Sequence, residues 1–245
     1  MKKILMGVVF LWMTLLPAYN TNFNLAEKAK ARGDYKSALR YSLKQLDDDL
    51  KENGRLSKDV AIDYGILGYY AGKIGEYDKA LEYNFEALKI EERMLGKNHP
   101  SRAITYNNIG GVYRKQGKYR EALDYYAKAL KISEKAFGKN HPSVATTYSN
   151  IGLVYKNLGK YQEALDYYSK ALKIREKVLG MNHLKTATTY SNISLVYYKQ
   201  GKYQEALNEL DKTLKIQEKA LGKEHPSTKN TQSLSLIHIS EPTRL

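Results

Sequence analysis

Apolar residues recur at helical spacing within a unit of the chain that runs from residue 143 to 184. A first set, spaced by three and four residues, predicts an apolar stripe along one helix; its members are Tyr148, Ile151, Tyr155 and Leu158. Gly159 follows as a helix stop. A second helix is predicted from near Tyr161, with the apolar set Ala164, Leu165, Tyr168, Ala171, Leu172 and Ile174. The unit is therefore predicted to be a hairpin of two α-helices.

The same unit repeats along the chain with a fixed step of 42 residues. The motif Gly-x-Tyr-x-x-Ala-Leu starts at Gly33, Gly75, Gly117, Gly159 and Gly201. A second marker, a glycine followed three residues later by histidine, keeps the same step and places His99, His141, His183 and His225. A period of this length predicts an all-α stack of repeats in which each unit buries its core against its neighbours. Function is then expected on a surface that several repeats share.

Several positions within the unit resemble a known family. The pattern Tyr148-x-x-Ile151-Gly152-x-x-Tyr155, followed by Ala164, Tyr168 and Ala171, is similar to the tetratricopeptide repeat, with tyrosine in place of the usual tryptophan. The 42-residue step and the Leu-Gly-x-x-His-Pro connection resemble the kinesin light chain variety of that repeat. The resemblance implies an α-α superhelix, a solenoid of stacked helix-turn-helix repeats. Gly152 lies beside the apolar stripe and is expected to permit the close approach of a neighbouring helix.

The resemblance covers about residues 22–233. We interpret residues 19–74 as a degenerate N-terminal capping region and residues 75–233 as the array, whose last repeat is truncated. The first copy is recognisable only at Leu25, Ala26, Ala29, Ala38 and Leu39.

Both ends of the chain depart from the repeat. Residues 1–18 combine two lysines with an apolar run that is too short for a comfortable membrane span, which is typical of a secretory signal. This predicts export to the periplasm or medium, the alternative being a retained membrane anchor. Residues 234–245 resemble a translated sequencing-library adapter and are interpreted as an artefact tail. The natural chain is therefore expected to continue beyond residue 233.

Composition narrows the chemistry that the array could perform. The chain has no cysteine, which excludes disulfides, thiolate metal sites and thiol nucleophiles. Its net charge of +14 suggests acidic partners, although lysines alternating with acids are also typical of a solvated helix face. Nucleic-acid binding depends on this net charge alone and ranks last. The tyrosine pairs Tyr125-Tyr126 and Tyr167-Tyr168 are expected to place one ring in the core and leave its neighbour half exposed.

No set of residues predicts catalysis or a metal site. The four repeat histidines occupy equivalent connections about one helical layer apart, so they cannot converge on one ion. Their recurrence with Asn and Pro indicates turn chemistry instead. Glu121, Glu163 and Glu205 each fall in the opening turn of a second helix, where the helix dipole favours negative charge. We therefore predict no enzyme activity, no metal and no cofactor.

The first helix of each unit carries a second, mostly polar face. In tetratricopeptide arrays the first helices line a concave groove that commonly binds extended peptides, so the resemblance implies a peptide-binding surface here. The predicted positions are Asn107, Asn108, Arg114, Lys115, Ser149, Asn150, Leu153, Lys156, Asn157, Ser191, Asn192, Leu195, Tyr198 and Lys199. A weaker copy offers Ile66, Tyr69 and Lys73.

Two features of this face suggest how a partner would be held. Asn108, Asn150 and Asn192 are 42 residues apart and should form a ladder of amides that can pair with peptide backbone. The basic residues of the face would form an edge suited to acidic residues or a terminal carboxylate. Alternatively, the asparagines merely tolerate a polar helix face.

Two functions remain open from the sequence. The first is a non-enzymatic scaffold that binds a peptide or protein segment. The second is the sensor or docking part of a longer bacterial enzyme or regulator with a protease, kinase or DNA-binding output domain.

Overall fold

The structure, a computed structural model, describes residues 21–240, and side chains over residues 21–235. Over that range the chain forms eleven α-helices and no strand. In chain order they are α1 (Thr21–Ala31), α2 (Tyr35–Asn53), α3 (Lys58–Ile74), α4 (Tyr77–Leu95), α5 (Ser101–Lys115), α6 (Tyr119–Phe137), α7 (Pro142–Asn157), α8 (Tyr161–Leu179), α9 (Leu184–Lys199), α10 (Tyr203–Leu221) and α11 (Pro226–Ser240). The predicted alternation of first and second helices is therefore confirmed.

The described part of the chain divides within α5 into two compact units, with the boundary between Val112 and Tyr113. In the first unit, α3 packs against both α2 and α4 and supplies three large, fully buried side chains, Val60, Leu67 and Tyr70. Two of its helices begin at side-chain caps. The side chain of Asp34 accepts a hydrogen bond from the amide N–H of Ser37 at 3.0 Å, and that of Ser57 accepts one from the amide N–H of Val60 at 3.1 Å. In the degenerate first copy, four of the five recognised positions are buried, namely Ala26, Ala29, Ala38 and Leu39.

In the second unit, α7 packs against α8 and α9 packs against α10, each pair forming a helical hairpin. A glycine ends the tight turn within each hairpin; Gly159, for example, has φ of +72°, which side-chain-bearing residues rarely adopt. The acids predicted in the opening turns lie there, as Glu121, Glu163 and Glu205. None of the helices between Thr21 and Ser240 has the length and hydropathy of a membrane span.

The apolar stripe predicted for α7 is correct in its middle and wrong at its end. Ile151 is buried and Tyr155 is half buried, but Leu158 is 42% exposed. The reason is that α7 ends at Asn157, so Leu158 lies at the cap, beyond the last helical residue of the stripe. Burial is instead continued by residues at the start and middle of the helix: Val144, Ala145 and Val154.

Gly152 permits the close approach that the sequence predicts, and the group that approaches is the ring of Tyr168 on α8. A β-carbon at Gly152 would lie only 2.7 Å from Cε1 of that ring. The equivalent positions of the next hairpin hold Ser194 and Leu210, both buried. The serine hydroxyl donates to the carbonyl of Ser191 at 2.7 Å. Ser194 is larger than Gly152, and Leu210 is smaller than Tyr168, so the two differences compensate.

Two sequence-based interpretations concern the ends of the chain. The signal segment over residues 1–18 lies outside the described residues. So do the last five residues of the tail interpreted as an artefact, whereas residues 234–240 form the end of α11.

Candidate functional site

The repeat histidines are helix caps, as the turn interpretation predicts. Nδ1 of His141 accepts the amide N–H of Ser143 at 3.2 Å, and Nδ1 of His183 accepts that of Lys185 at 3.0 Å. His99 and His225 make the equivalent bond to the residue two positions onward. Each ring therefore satisfies an amide that the helix leaves unpaired. Among residues 21–235, no group of three or more His, Cys, Asp or Glu side chains could hold a metal ion.

The tyrosine pairs divide between core and surface as expected. Tyr126 and Tyr168 are 1% and 0% exposed, whereas their neighbours Tyr125 and Tyr167 are half buried. Burial raises the pKa of the Tyr126 and Tyr168 hydroxyls, so both stay protonated near neutral pH. These pairs are therefore part of the packing between helices.

The predicted groove face of the second unit lies on α7 and α9, two first helices that contact each other. Asn150 and Asn192 occupy corresponding half-buried positions on these helices. Leu153 and Leu195, one turn further on, are also half buried. Ser149 differs, because its residue is only 6% exposed and its hydroxyl is enclosed within the described structure without a hydrogen-bond partner. It therefore offers a partner little surface.

Three cations of the second unit lie close enough to affect one another: Arg114, Lys156 and Lys199, here termed the basic cluster. Lys156, in the last turn of α7, is half buried. Burial lowers the pKa of its ammonium group, and the nearby charges of Arg114 and Lys199 lower it further. No salt bridge to any of the three is found within residues 21–235. The cluster thus concentrates positive charge that no acid of the described chain neutralises.

The guanidinium group of Arg114 is partly enclosed by tyrosines. Its charge acts on the hydroxyls of Tyr126 and Tyr168, and it hydrogen-bonds to Tyr126. Its Nε and the hydroxyl oxygen of Tyr168 are buried, and each lacks a hydrogen-bond partner among the described side chains. Such groups are costly to bury unsatisfied.

The other predicted positions of the second unit are less enclosed. Lys115 and Asn157 are exposed, and Ser191 is half buried. Tyr198 is half buried and packs edge-on against Tyr203, with ring centroids 5.6 Å apart. These residues border the basic cluster in sequence and contribute a polar edge.

In the first unit, Asn108 lines a cavity of about 320 Å³. Three large apolar side chains that share this cavity are notably exposed, Ile62 at 48%, Tyr69 at 38% and Ile104 at 66%. Asn107 instead uses its amide locally and donates to the carbonyl of Ala103 at 3.0 Å. In the first unit, the predicted groove face is therefore apolar apart from the side-chain amide of Asn108. Ile62 and Ile104 were not predicted to belong to this face.

Sequence reasoning missed the tyrosine hydroxyls at the basic cluster and the apolar residues of the first unit. Tyr126 and Tyr168 were predicted only as core, because periodicity does not show where a ring's hydroxyl points. Ile104 carried a signal, since it falls outside the apolar stripe of its helix, two residues before the stripe residue Tyr106.

Comparison with known proteins identifies the repeat. The family model for the tetratricopeptide repeat matches residues 60–135, 101–177, 143–219 and 185–234. A search of curated proteins finds no match.

Solved structures share the fold. BtubC (BKLC) from P. vanneervenii is 25% identical, with 82% of this chain and 80% of that chain covered and a TM-score of 0.64. A kinesin light chain-like protein of Podosopora anserina with nearly identical TPR-like repeats is 21% identical over 82% of this chain and 96% of its own, with a TM-score of 0.61. Aspartyl phosphate phosphatase F from Bacillus subtilis is 20% identical over 94% of this chain and 58% of its own, with a TM-score of 0.74. The last two likenesses concern the fold alone.

Proposed function

We propose that this chain, which belongs to the tetratricopeptide repeat family, is a non-catalytic scaffold that binds a peptide segment of a partner protein along its first helices. Its fold, an all-α solenoid of kinesin light chain-like repeats, is consistent with a protein-interaction scaffold. The finer statement, that the segment lies on the face that carries Asn192 and the basic cluster, is our inference.

The basic cluster is the observation that carries the proposal. A half-buried lysine whose pKa is lowered by burial, and further by two neighbouring cations, is held in an unfavourable electrostatic environment. A bound carboxylate would relieve that repulsion and accept hydrogen bonds in a site with little water, where such bonds are strong. An acidic side chain or a C-terminal carboxylate of the partner is therefore the complementary group.

The rest of the face fits a peptide backbone. The amide of Asn192 makes no hydrogen bond within the described residues, so it can both donate to and accept from a main chain. Leu153 and Leu195, both half buried, supply apolar contact between the polar positions. Such a surface would contact few side chains of the bound peptide. Specificity would then depend on the position of the acidic group within the peptide.

Binding of fluorescein-labelled hexapeptides, measured by fluorescence anisotropy, tests the proposal. The probe ends in two glutamates with a free carboxylate, and its neutral counterpart carries two glutamines and a C-terminal amide. The chain should prefer the acidic peptide, and Lys156→Glu should raise its Kd about tenfold or more, a change of about 1.4 kcal/mol. Added salt should weaken the binding, since the attraction is electrostatic.

Lys173→Glu is the matched control, because Lys173 is exposed on α8 and the substitution changes net charge equally. It should leave the Kd within about twofold, as expected of a distant screened charge. Equal affinity for both peptides, or equal weakening by the two substitutions, would refute a specific site at the basic cluster.

A further inference from the structure

A pocket of the second unit lies between α8 and α10, with α9 as its floor. Its volume is about 760 Å³. Tyr190, Ile193 and Tyr197 of α9 form the floor, Leu165 and Leu172 of α8 form one wall, and Glu209 of α10 forms part of the other. We refer to it as the α8–α10 pocket.

The two preceding hairpins show which group normally fills this position. In the hairpin of α7 and α8, the ring of Tyr167 stacks on Tyr155, with centroids 5.4 Å apart and planes 10° apart. In the hairpin of α5 and α6, Tyr125 stacks on Tyr113 in the same way, at 5.5 Å and 20°. Both Tyr125 and Tyr167 are half buried, and Tyr167 packs against apolar residues of its hairpin.

Position 209 breaks this series, because the 42-residue step from Tyr125 and Tyr167 leads to Glu209. No ring stacks on Tyr197 within residues 21–235, although Tyr197 is the equivalent of Tyr155. The lysine three residues after this position also makes a different contact in the two hairpins. Lys170 lies over the ring of Tyr167 at 4.8 Å, whereas Lys212 pairs with the carboxylate of Glu209 at 2.7 Å. The pocket is thus the space that an aromatic ring occupies in the other repeats.

We propose that the α8–α10 pocket binds an aromatic side chain presented by a partner protein, which stacks on Tyr197 as Tyr167 stacks on Tyr155. The aromatic floor and the wall formed by Leu165 and Leu172 match the faces of such a ring. Glu209, whose side chain is 16% exposed, provides a carboxylate that can accept from a phenol or indole donor at the ring's edge. Tyrosine and tryptophan side chains therefore fit better than phenylalanine.

This site is distinct from the one at the basic cluster. Successive residues of an α-helix are rotated by about 100°. Tyr190, Ile193 and Tyr197 consequently share one face of α9, and Asn192, Leu195 and Lys199 share the opposite face. A partner that used both would engage the second unit from two sides, and either site can fail without the other.

Ligand-observed saturation-transfer NMR with the full chain tests the proposal, using N-acetyl-tyrosinamide as the probe and N-acetyl-leucinamide as the apolar reference. The tyrosine probe should show saturable binding and the leucine probe should bind at least severalfold more weakly. Glu209→Tyr should weaken the tyrosine probe about tenfold or more, because the new ring fills the pocket. The same variant should bind the acidic hexapeptide as the unaltered chain does.

Two further variants keep the test decisive. Glu209→Ala keeps the pocket open, so it should retain binding of N-acetyl-leucinamide and N-acetyl-tyrosinamide but narrow the difference between them. Tyr167→Glu should open an equivalent pocket on Tyr155 and raise the number of bound tyrosine probes from one to two, with folding checked by circular dichroism. Unchanged probe binding in Glu209→Tyr, or no preference for the tyrosine probe in the unaltered chain, would overturn the proposal.

Discussion

The contact between Gly152 and Tyr168 can be tested by exchanging it for the pair that the next hairpin uses. Gly152→Ser places a β-carbon 2.7 Å from Cε1 and 2.9 Å from Cδ1 of a ring that is 0% exposed. The ring cannot swing into solvent, so α7 and α8 must separate or the ring must leave its preferred rotamer. Overpacking of this kind costs about 1–3 kcal/mol. Better helix propensity of serine offsets roughly 0.5 kcal/mol of that.

The partner change works in the opposite direction. Tyr168→Leu alone removes a buried ring and is expected to cost about 2–4 kcal/mol through the cavity it leaves. The double variant reproduces the combination of Ser194 and Leu210, both of which are buried in the next hairpin. Its free energy of unfolding should therefore exceed the additive expectation by about 1–2 kcal/mol, the size typical of residues in contact.

Urea unfolding followed by circular dichroism measures all four chains of this cycle. Gly65→Ser is the matched control, since a β-carbon at Gly65 meets nothing within 4 Å. It should stabilise slightly, by roughly 0.5 kcal/mol. An additive double variant, or a Gly152→Ser variant as stable as the control, would refute the explanation that ring contact requires glycine at position 152.

Three other predictions concern polar groups that are buried or half buried. Burial, together with the neighbouring Asp49, raises the pKa of Asp63 to about 8. The folded chain thus holds a proton that the unfolded chain releases. Stability from this group is full below the unfolded pKa of 3.8 and is lost progressively as pH rises from there to about 8, by at most about 1.4 kcal/mol per pH unit. Asp63→Asn should flatten that loss in urea titrations at pH 5 and pH 9, and an unaltered slope would contradict it. His141→Ala should lower the free energy of unfolding by about 0.5–2 kcal/mol through loss of a helix cap, measured by thermal denaturation; an unchanged midpoint would argue against the cap. Arg175 donates to the hydroxyl of Thr189 at 2.6 Å, so Arg175→Met should destabilise by about 1–3 kcal/mol, whereas the double change with Thr189→Val should recover part of that loss.

The sequence predicts the hairpins and their faces well, because helical periodicity fixes the direction of each side chain around its own axis. The core position of Tyr168 and the structural role of His141 in its turn follow from spacing and recurrence, whereas the helix cap that His141 forms is seen only in the structure. Leu158 is mispredicted because periodicity does not reveal where a helix ends. Ser149 lies on the predicted face yet is buried, since its burial depends on how closely neighbouring helices pack.

The electrostatics of the candidate site is less accessible from sequence. Arg114 and Lys156 were predicted as a basic edge, but the burial that lowers the pKa of Lys156 results from the packing of neighbouring helices. The same packing places Arg114 beside the hydroxyl of Tyr168. Periodicity gives the identity of these groups and their helix face, but not the distances between residues on different helices.

A repeated structure gives each departure from the repeat a built-in reference. Ser194 and Leu210 both differ from the glycine and tyrosine of the preceding hairpin. The larger residue at position 194 is offset by the smaller one at position 210, so both remain buried. Glu209 replaces the tyrosine of the other repeats, and no facing residue is larger to compensate for the lost ring. Tyr197 stays aromatic and is left without a ring beside it, while the α8–α10 pocket stays open. If the change at position 209 served packing alone, a bulky apolar residue would fill the space at lower cost, since exposed aromatic surface is unfavourable. The retained aromatic floor is therefore better explained by a group that arrives from outside the chain.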